Sequence, residues 1–231
     1  MALPTVILPG YMAGAGEYQE LERSLNQQGI PTATVPIRWQ DWVPTLGGRS
    51  VSPILRQLAA TVQQVLQQSG AAQVNLIGHS AGGWLARIYL GEKPYAIHAV
   101  DGPDSVWAAR SQVATLVTLG TPHISQERWT RRNIDFVNQT YPGAFYPDVR
   151  YVCLAGKAVY GDRWKSWLAY NSYKLTCGQG ECWGDGITPI TAAHLEGAEN
   201  LVLEGASHSP RRSRRWYGSP GLLEQWIDCL A

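Results

Sequence analysis

Short apolar runs alternate along the chain with longer stretches in which apolar residues recur every three or four positions. The runs TVILPG (5–10), TATVPI (32–37), QVNLIG (73–78), VATLVTLG (113–120), VRYVCLAG (149–156) and NLVLEG (200–205) have the length and bounding turns of strands. Helical spacing predicts helices over 15–29, 52–70, 80–93 and 221–230. In the second of these, Ile54, Leu55, Leu58, Val62, Val65 and Leu66 make one apolar face. Ser52 is the expected N-cap there, Pro53 the first helical residue and Gly70 the terminator; Gly29 ends the first helix. A run as continuously apolar as 113–120 marks a strand buried on both faces, and strands of that kind alternating with helices predict a mostly parallel central sheet flanked by helices. Two stretches, 95–112 and 156–185, follow neither period, and loops of that length in a compact domain tend to carry function.

Composition narrows the picture. A chain of 231 residues is long enough for one α/β domain, and residues 1–231 are read as one. The formal net charge of +1 gives no bulk argument for nucleic acid. Ten Trp and eleven Tyr stand against two Phe, a balance suited to pocket walls and interfaces, although core packing also uses these rings. No apolar run approaches the roughly 18 residues of a membrane span. The opening MALPTVILPGY runs into a strand with no basic leader, so the expectation is a cytoplasmic protein, peripheral to a membrane at most. Cys177 and Cys182, in CGQGEC, leave a small disulfide loop and two free thiols equally open; Cys153 and Cys229 read as buried filler. With no second close pair to complete four ligands, neither a metal nor any other cofactor is expected.

The chemistry centres on GHSAG (78–82), which fits G-x-S-x-G between a strand and a helix. In that setting the serine occupies a strained turn, small neighbours let the turn pack, and the helix N-terminus offers free N–H groups to a developing oxyanion. The competing reading is that the glycines merely pack a helix on a sheet. Four patches decide between them. LIGHSAGG resembles the nucleophile elbow of α/β-hydrolase lipases and esterases, VTLGTPH (117–123) the strand and loop that follow it, and VILPGYMAG (6–14) the first strand and oxyanion loop, with Pro9 where lipases usually have His. GDGITPITAAHLEGAENLVLEGASHSP (184–210) is similar to the acid-to-histidine segment of small lipase-like hydrolases of cyanobacteria and plant plastids.

That resemblance implies an α/β-hydrolase fold and a triad in the chain order Ser, acid, His. Ser80 is then the nucleophile. Among five histidines, His208 directly follows the 200–205 strand in GASHSP and is the expected base; His79, His98, His123 and His194 lack that combination of order and placement. Asp185, between two glycines, is preferred as the acid to Asp162 in YGDRW. Family analogy places the oxyanion hole at the backbone N–H groups of Ala81 and Tyr11, with Met12 as the fallback for the second. The implied reaction is hydrolysis of a carboxylic ester through an acyl-enzyme; an acyltransferase or thioesterase would use the same triad.

The segment between Gly156 and Asp185, about 157–184, holds three Trp and three Tyr beside the proposed acid. It reads as a lid or pocket insertion, or as aromatics packed on the scaffold. Its Trp164 and Trp167 join Met12 and His79 as candidate substrate contacts, and so apolar a wall favours a lipophilic ester. Arg211, Arg212, Arg214 and Arg215, followed by Trp216 and Tyr217, would suit docking on an anionic membrane surface, with Arg128, Arg131 and Arg132 on the same rim. A solvated loop pairing with nearby acids is the plainer alternative.

Overall fold

The computed structural model describes residues 2–102, 105–210 and 215–230. Six parallel strands form the central sheet: β1 (Thr5–Leu8), β2 (Thr32–Thr34), β3 (Val74–His79), β4 (Val113–Leu119), β5 (Arg150–Lys157) and β8 (Glu199–Glu204). Their spatial order is β2-β1-β3-β4-β5-β8. The β1 and β3 strands, in mid-sheet, are wholly buried, as their continuous apolar runs require. Because side chains alternate across a strand, Val6 and Leu8 enter one core while Ile7, between them, enters the other.

On the first face lie α2 (Ser52–Ser69), α3 (Ala81–Leu90) and α4 (Arg128–Thr140), which contribute Leu55, Trp84 and Ile134 to that core. On the second lie α1 (Gln19–Gln27) and α7 (Pro220–Leu223), with Leu21, Leu222 and Trp226. Every residue of α3 is buried, so the elbow helix sits inside the molecule rather than on it. Among the described residues no helix is long and apolar enough to cross a membrane.

Several boundaries differ from the sequence reading. β1 stops at Leu8, where Pro9 offers no N–H to a ladder, and β2 stops at Thr34, two residues before Pro36. The 15–29 helix is a 3-10 turn (Ala15–Tyr18) followed by α1, and the closing helix is α7 followed by a 3-10 turn (Ile227–Leu230). Ser52 is not the N-cap of α2. Val51 holds that position, and the Ser52 hydroxyl donates instead to Asp101, at 2.6 Å. α4 has no counterpart in the sequence reading, although Glu127 caps it by accepting from the N–H groups of Trp129 and Thr130.

The segment after β5 is ordered, and so is the chain on to β8. It contains β6 (Val159–Tyr160), paired antiparallel with β7 (Trp183–Gly184), then α5 (Trp167–Cys177) between them, and α6 (Ile190–Ala193) before β8. Cys177 and Cys182 are both free thiols, each donating to the Gln179 carbonyl.

Candidate active site

A parallel sheet delivers the carboxyl ends of all its strands to one edge, and loops there meet in space. β3 reaches that edge at His79, and the chain reverses at Ser80 into α3. Ser80 has φ 52° and ψ −122°, a conformation that L-residues avoid. The turn closes because its flanks are glycine. A Cβ on Gly78 would stand 2.6 Å from the Gly83 backbone, and one on Gly82 would stand 2.5 Å from the Leu8 carbonyl oxygen. The Ser80 N–H donates to the Leu119 carbonyl of β4 at 2.9 Å, so the strained residue is tied to the sheet.

The Ser80 Oγ lies 3.0 Å from His208 Nε2, and His208 Nδ1 lies 2.7 Å from Asp185 Oδ2. A carboxylate only accepts, so Nδ1 carries the imidazole proton and Nε2 is left to accept from the serine. Asp185 follows β7 directly. Its Oδ1 accepts from the N–H groups of Ile187 and Thr188, and its Oδ2 also accepts from the Tyr217 hydroxyl at 2.8 Å. Burial by itself would push this carboxyl up. His208 and the two N–H donors outweigh burial and hold the group below its usual range. The main chain adds a further link, the His208 N–H donating to the Asp185 carbonyl at 2.9 Å.

Asp162, the other candidate acid, is elsewhere. Its Oδ1 accepts from the N–H groups of Trp164 and Lys165 and closes a surface turn. Of the remaining histidines, His98 bonds Asn133 and His123 is buried beside Arg87. Among the described residues, the N–H groups of Tyr11, Met12 and Ala81 donate to no protein acceptor. The Tyr11 ring packs on Trp42 with centroids 5.1 Å apart, and Met12 (φ 60°) is partly exposed beside it.

The expected substrate contacts divide. His79 is buried and spends both ring nitrogens within the protein, on the Tyr18 hydroxyl and the His208 carbonyl, so it has no free edge for a substrate. A cavity of about 450 Å³ opens beside His208, lined by Val159, Leu168, Ala169 and Ile187 among others. Trp164 and Trp167 are outside that lining, 91% and 58% exposed. Trp216 and Tyr217, expected at an interface, are instead buried: Trp216 packs edge-on against Tyr18 and His79, and the Tyr217 hydroxyl reaches Asp185. Arg211, Arg212 and Arg214 lie outside the described residues. Arg128, Arg131 and Arg132 line a separate hollow of about 890 Å³ against α4 that includes neither Ser80 nor His208. There Arg131 pairs with Asp135 and Arg132 donates to the Ile97 carbonyl.

Tyr18, which the sequence did not single out, and Tyr217, which it read as interfacial, are the further residues at this site. Nothing local marks either, since each reaches the site only through the packing of the second core.

Comparison with known proteins agrees with this architecture. A 71-residue stretch is 39% identical to triacylglycerol lipases of Pseudarthrobacter phenanthrenivorans and Burkholderia plantarii. It covers 31% of this chain but only 17% and 15% of theirs, so the match spans less than a fifth of those enzymes. An esterase from Exiguobacterium antarcticum superposes with a TM-score of 0.53 at 13% identity, over 100% of this chain and 93% of its own, a likeness of fold. The profile of the Alpha/beta hydrolase family matches residues 5–219, nearly the whole length, and with this sheet and elbow the chain belongs to that family.

Proposed function

We propose that the protein is a serine hydrolase of carboxylic esters, with Ser80 as nucleophile, His208 as general base and Asp185 as the acid that orients it. One observation carries this reading. A serine in a strained strand-to-helix turn has its Oγ 3.0 Å from an imidazole nitrogen whose other nitrogen is 2.7 Å from a buried carboxylate. His208 Nε2 takes the hydroxyl proton as Oγ attacks the ester carbonyl carbon. The oxyanion is met by the N–H groups of Ala81 and Tyr11, with that of Met12 adjacent. His208 then gives its proton to the departing alkoxide, leaving an acyl group on Ser80. A water deprotonated by His208 attacks the acyl carbonyl, the bond to Ser80 Oγ breaks as His208 returns the proton to Oγ, and the acid leaves.

A lipophilic acyl chain fits the surroundings. Met12, Ile124, Leu168 and Ile187, all on loops or helices reached from the carboxyl edge of the sheet, present exposed apolar side chains. Labelling by a fluorophosphonate probe tests the core of the reading. Wild type labels and Ser80→Ala does not; equal labelling of both rejects Ser80 as the nucleophile.

A further inference from the structure

The chain holds a second histidine against the first. The His79 and His208 rings are 4.8 Å apart, yet only the His208 ring hydrogen-bonds the Ser80 hydroxyl. His79 Nε2 lies 2.8 Å from the His208 carbonyl oxygen, and His79 Nδ1 lies 2.6 Å from the Tyr18 hydroxyl. A carbonyl only accepts, so Nε2 carries the proton and Nδ1 must accept. Tyr18 is therefore the donor to His79, and its oxygen accepts in turn from the Gly10 N–H at 2.9 Å. Every donor in this line points the same way: Gly10 N–H to Tyr18, Tyr18 O–H to His79, His79 Nε2–H to the His208 carbonyl. Bonds so aligned polarise one another.

What the line connects is specific. At one end, Gly10 immediately precedes Tyr11 and Met12. Its N–H is taken by Tyr18 and its carbonyl accepts from the Ala13 N–H at 3.0 Å, so the loop is held on both sides of the two free N–H groups. At the other end, His208 has its N–H bonded to the Asp185 carbonyl and its own carbonyl bonded to His79. The loop also lies against the elbow. A Cβ added to Gly10 would meet His79 Nδ1 at 2.8 Å and the Ser80 Cβ at 2.9 Å. Trp216 closes the arrangement edge-on to both rings, with centroids 5.9 Å from Tyr18 and from His79.

We propose that Tyr18 and His79 are positioning residues, a buried relay that fixes the loop after β1 and the main chain of His208 to one another so that oxyanion donors and base keep a common register across Ser80. This rests on the assignment of Ser80 and His208 as nucleophile and base. Burial first, and the neighbouring His208 second, hold His79 down to about 3, so the ring stays neutral, and the His208 carbonyl, which only accepts, keeps its one proton on Nε2. Apolar rings of the same volume would fill this space but leave the Gly10 N–H and the His208 carbonyl without partners, at the cost of an unmade buried hydrogen bond. The relay demands one donor and one acceptor at opposite ends of residue 79.

The test uses Tyr18→Phe, His79→Leu and His79→Gln with Ser80→Ala as control, each assayed on p-nitrophenyl butyrate and melted to verify folding. Tyr18→Phe and His79→Leu are expected to lower kcat about 10- to 100-fold with KM held within about twofold. His79→Gln, whose amide again offers a donor and an acceptor, should return most of that loss. Wild-type kcat in folded His79→Leu, a loss confined to KM, or a glutamine variant no better than leucine overturns the relay. Should His79→Leu not fold, Tyr18→Phe, which keeps the ring, decides by the same criterion. Undiminished turnover in Ser80→Ala would strike instead at the nucleophile assignment, whereas an inactive Ser80→Ala beside a fully active Tyr18→Phe rejects the relay alone.

Discussion

The floor of the candidate site and its rim are built on opposite principles. On the floor, Asp185 and His208 are buried and Ser80 is tied to the sheet, and directional hydrogen bonds fix each of their polar groups. At the rim, the segment after β5 turns Trp164, Trp167, Leu168 and Leu175 toward solvent. Floor residues act through position, and an error of a fraction of an ångström there is felt in the rate. Rim residues act through area, which varies smoothly and is shared among many side chains. The difference teaches where substitutions should stop the chemistry and where they should only retune the substrate.

Two aspartates from the same stretch of sequence give the sharpest contrast. Asp185→Asn should lower kcat by about 10⁴-fold, because the asparagine N–H₂ disfavours the His208 tautomer with Nδ1 protonated. Asp162→Asn, which alters a surface turn, should change kcat less than about twofold. Ester kinetics on the two variants test this, and the reverse ranking would move the acid to the rim.

The next effect is on stability and belongs to the floor. His79 is held down to about 3 in the folded protein against an ordinary 6.5 when unfolded. Its folded value is depressed, so the unfolded chain binds the extra proton between these values and stability falls as pH is lowered through that window. At pH 5 this amounts to about 2 kcal/mol relative to pH 8. His79→Gln removes the titrating group, so its melting temperature should drop less between pH 8 and pH 5 than that of wild type. Identical drops would show that His79 does not stay neutral.

The smallest effect is expected at the rim. Replacing Leu168 and Ile187, which line the cavity beside His208, by Ala should shift stability by less than about 0.5 kcal/mol. Loss of about 1 kcal/mol of apolar contact would raise KM for the p-nitrophenyl octanoate ester roughly fivefold and leave the acetate ester unaffected. A loss of kcat on both esters would show that these two side chains act on the floor after all.

The legible parts of the molecule were those with a local cause. Six strand runs and the long α2 face could be read because burial on one or both faces imposes its period on neighbouring residues. Ser80 could be found because the turn it occupies needs glycines two positions away on either side. α4 escaped notice because its inward residues, Asn133, Ile134 and Val137, are too few to print a stripe among the charges of RWTRRN. Ser52 followed the rule for a cap, yet its hydroxyl found a stronger partner in Asp101, 49 positions away. Trp216 and Tyr217 read as interfacial beside four arginines, yet contacts with Tyr18, His79 and Asp185 hold them inside.

By itself, the sequence determined the class of fold, the elbow and the order in which serine, acid and histidine follow one another. Each of these is encoded by spacing or by steric need within a few residues. Only the tertiary structure decided which of two aspartates meets His208, that His79 faces the interior rather than the substrate, and that Tyr18 and Tyr217 belong to the site at all. Those choices depend on directional bonds between residues 23 to 129 positions apart, and a bond of that kind leaves no mark on the residues next to it in the chain.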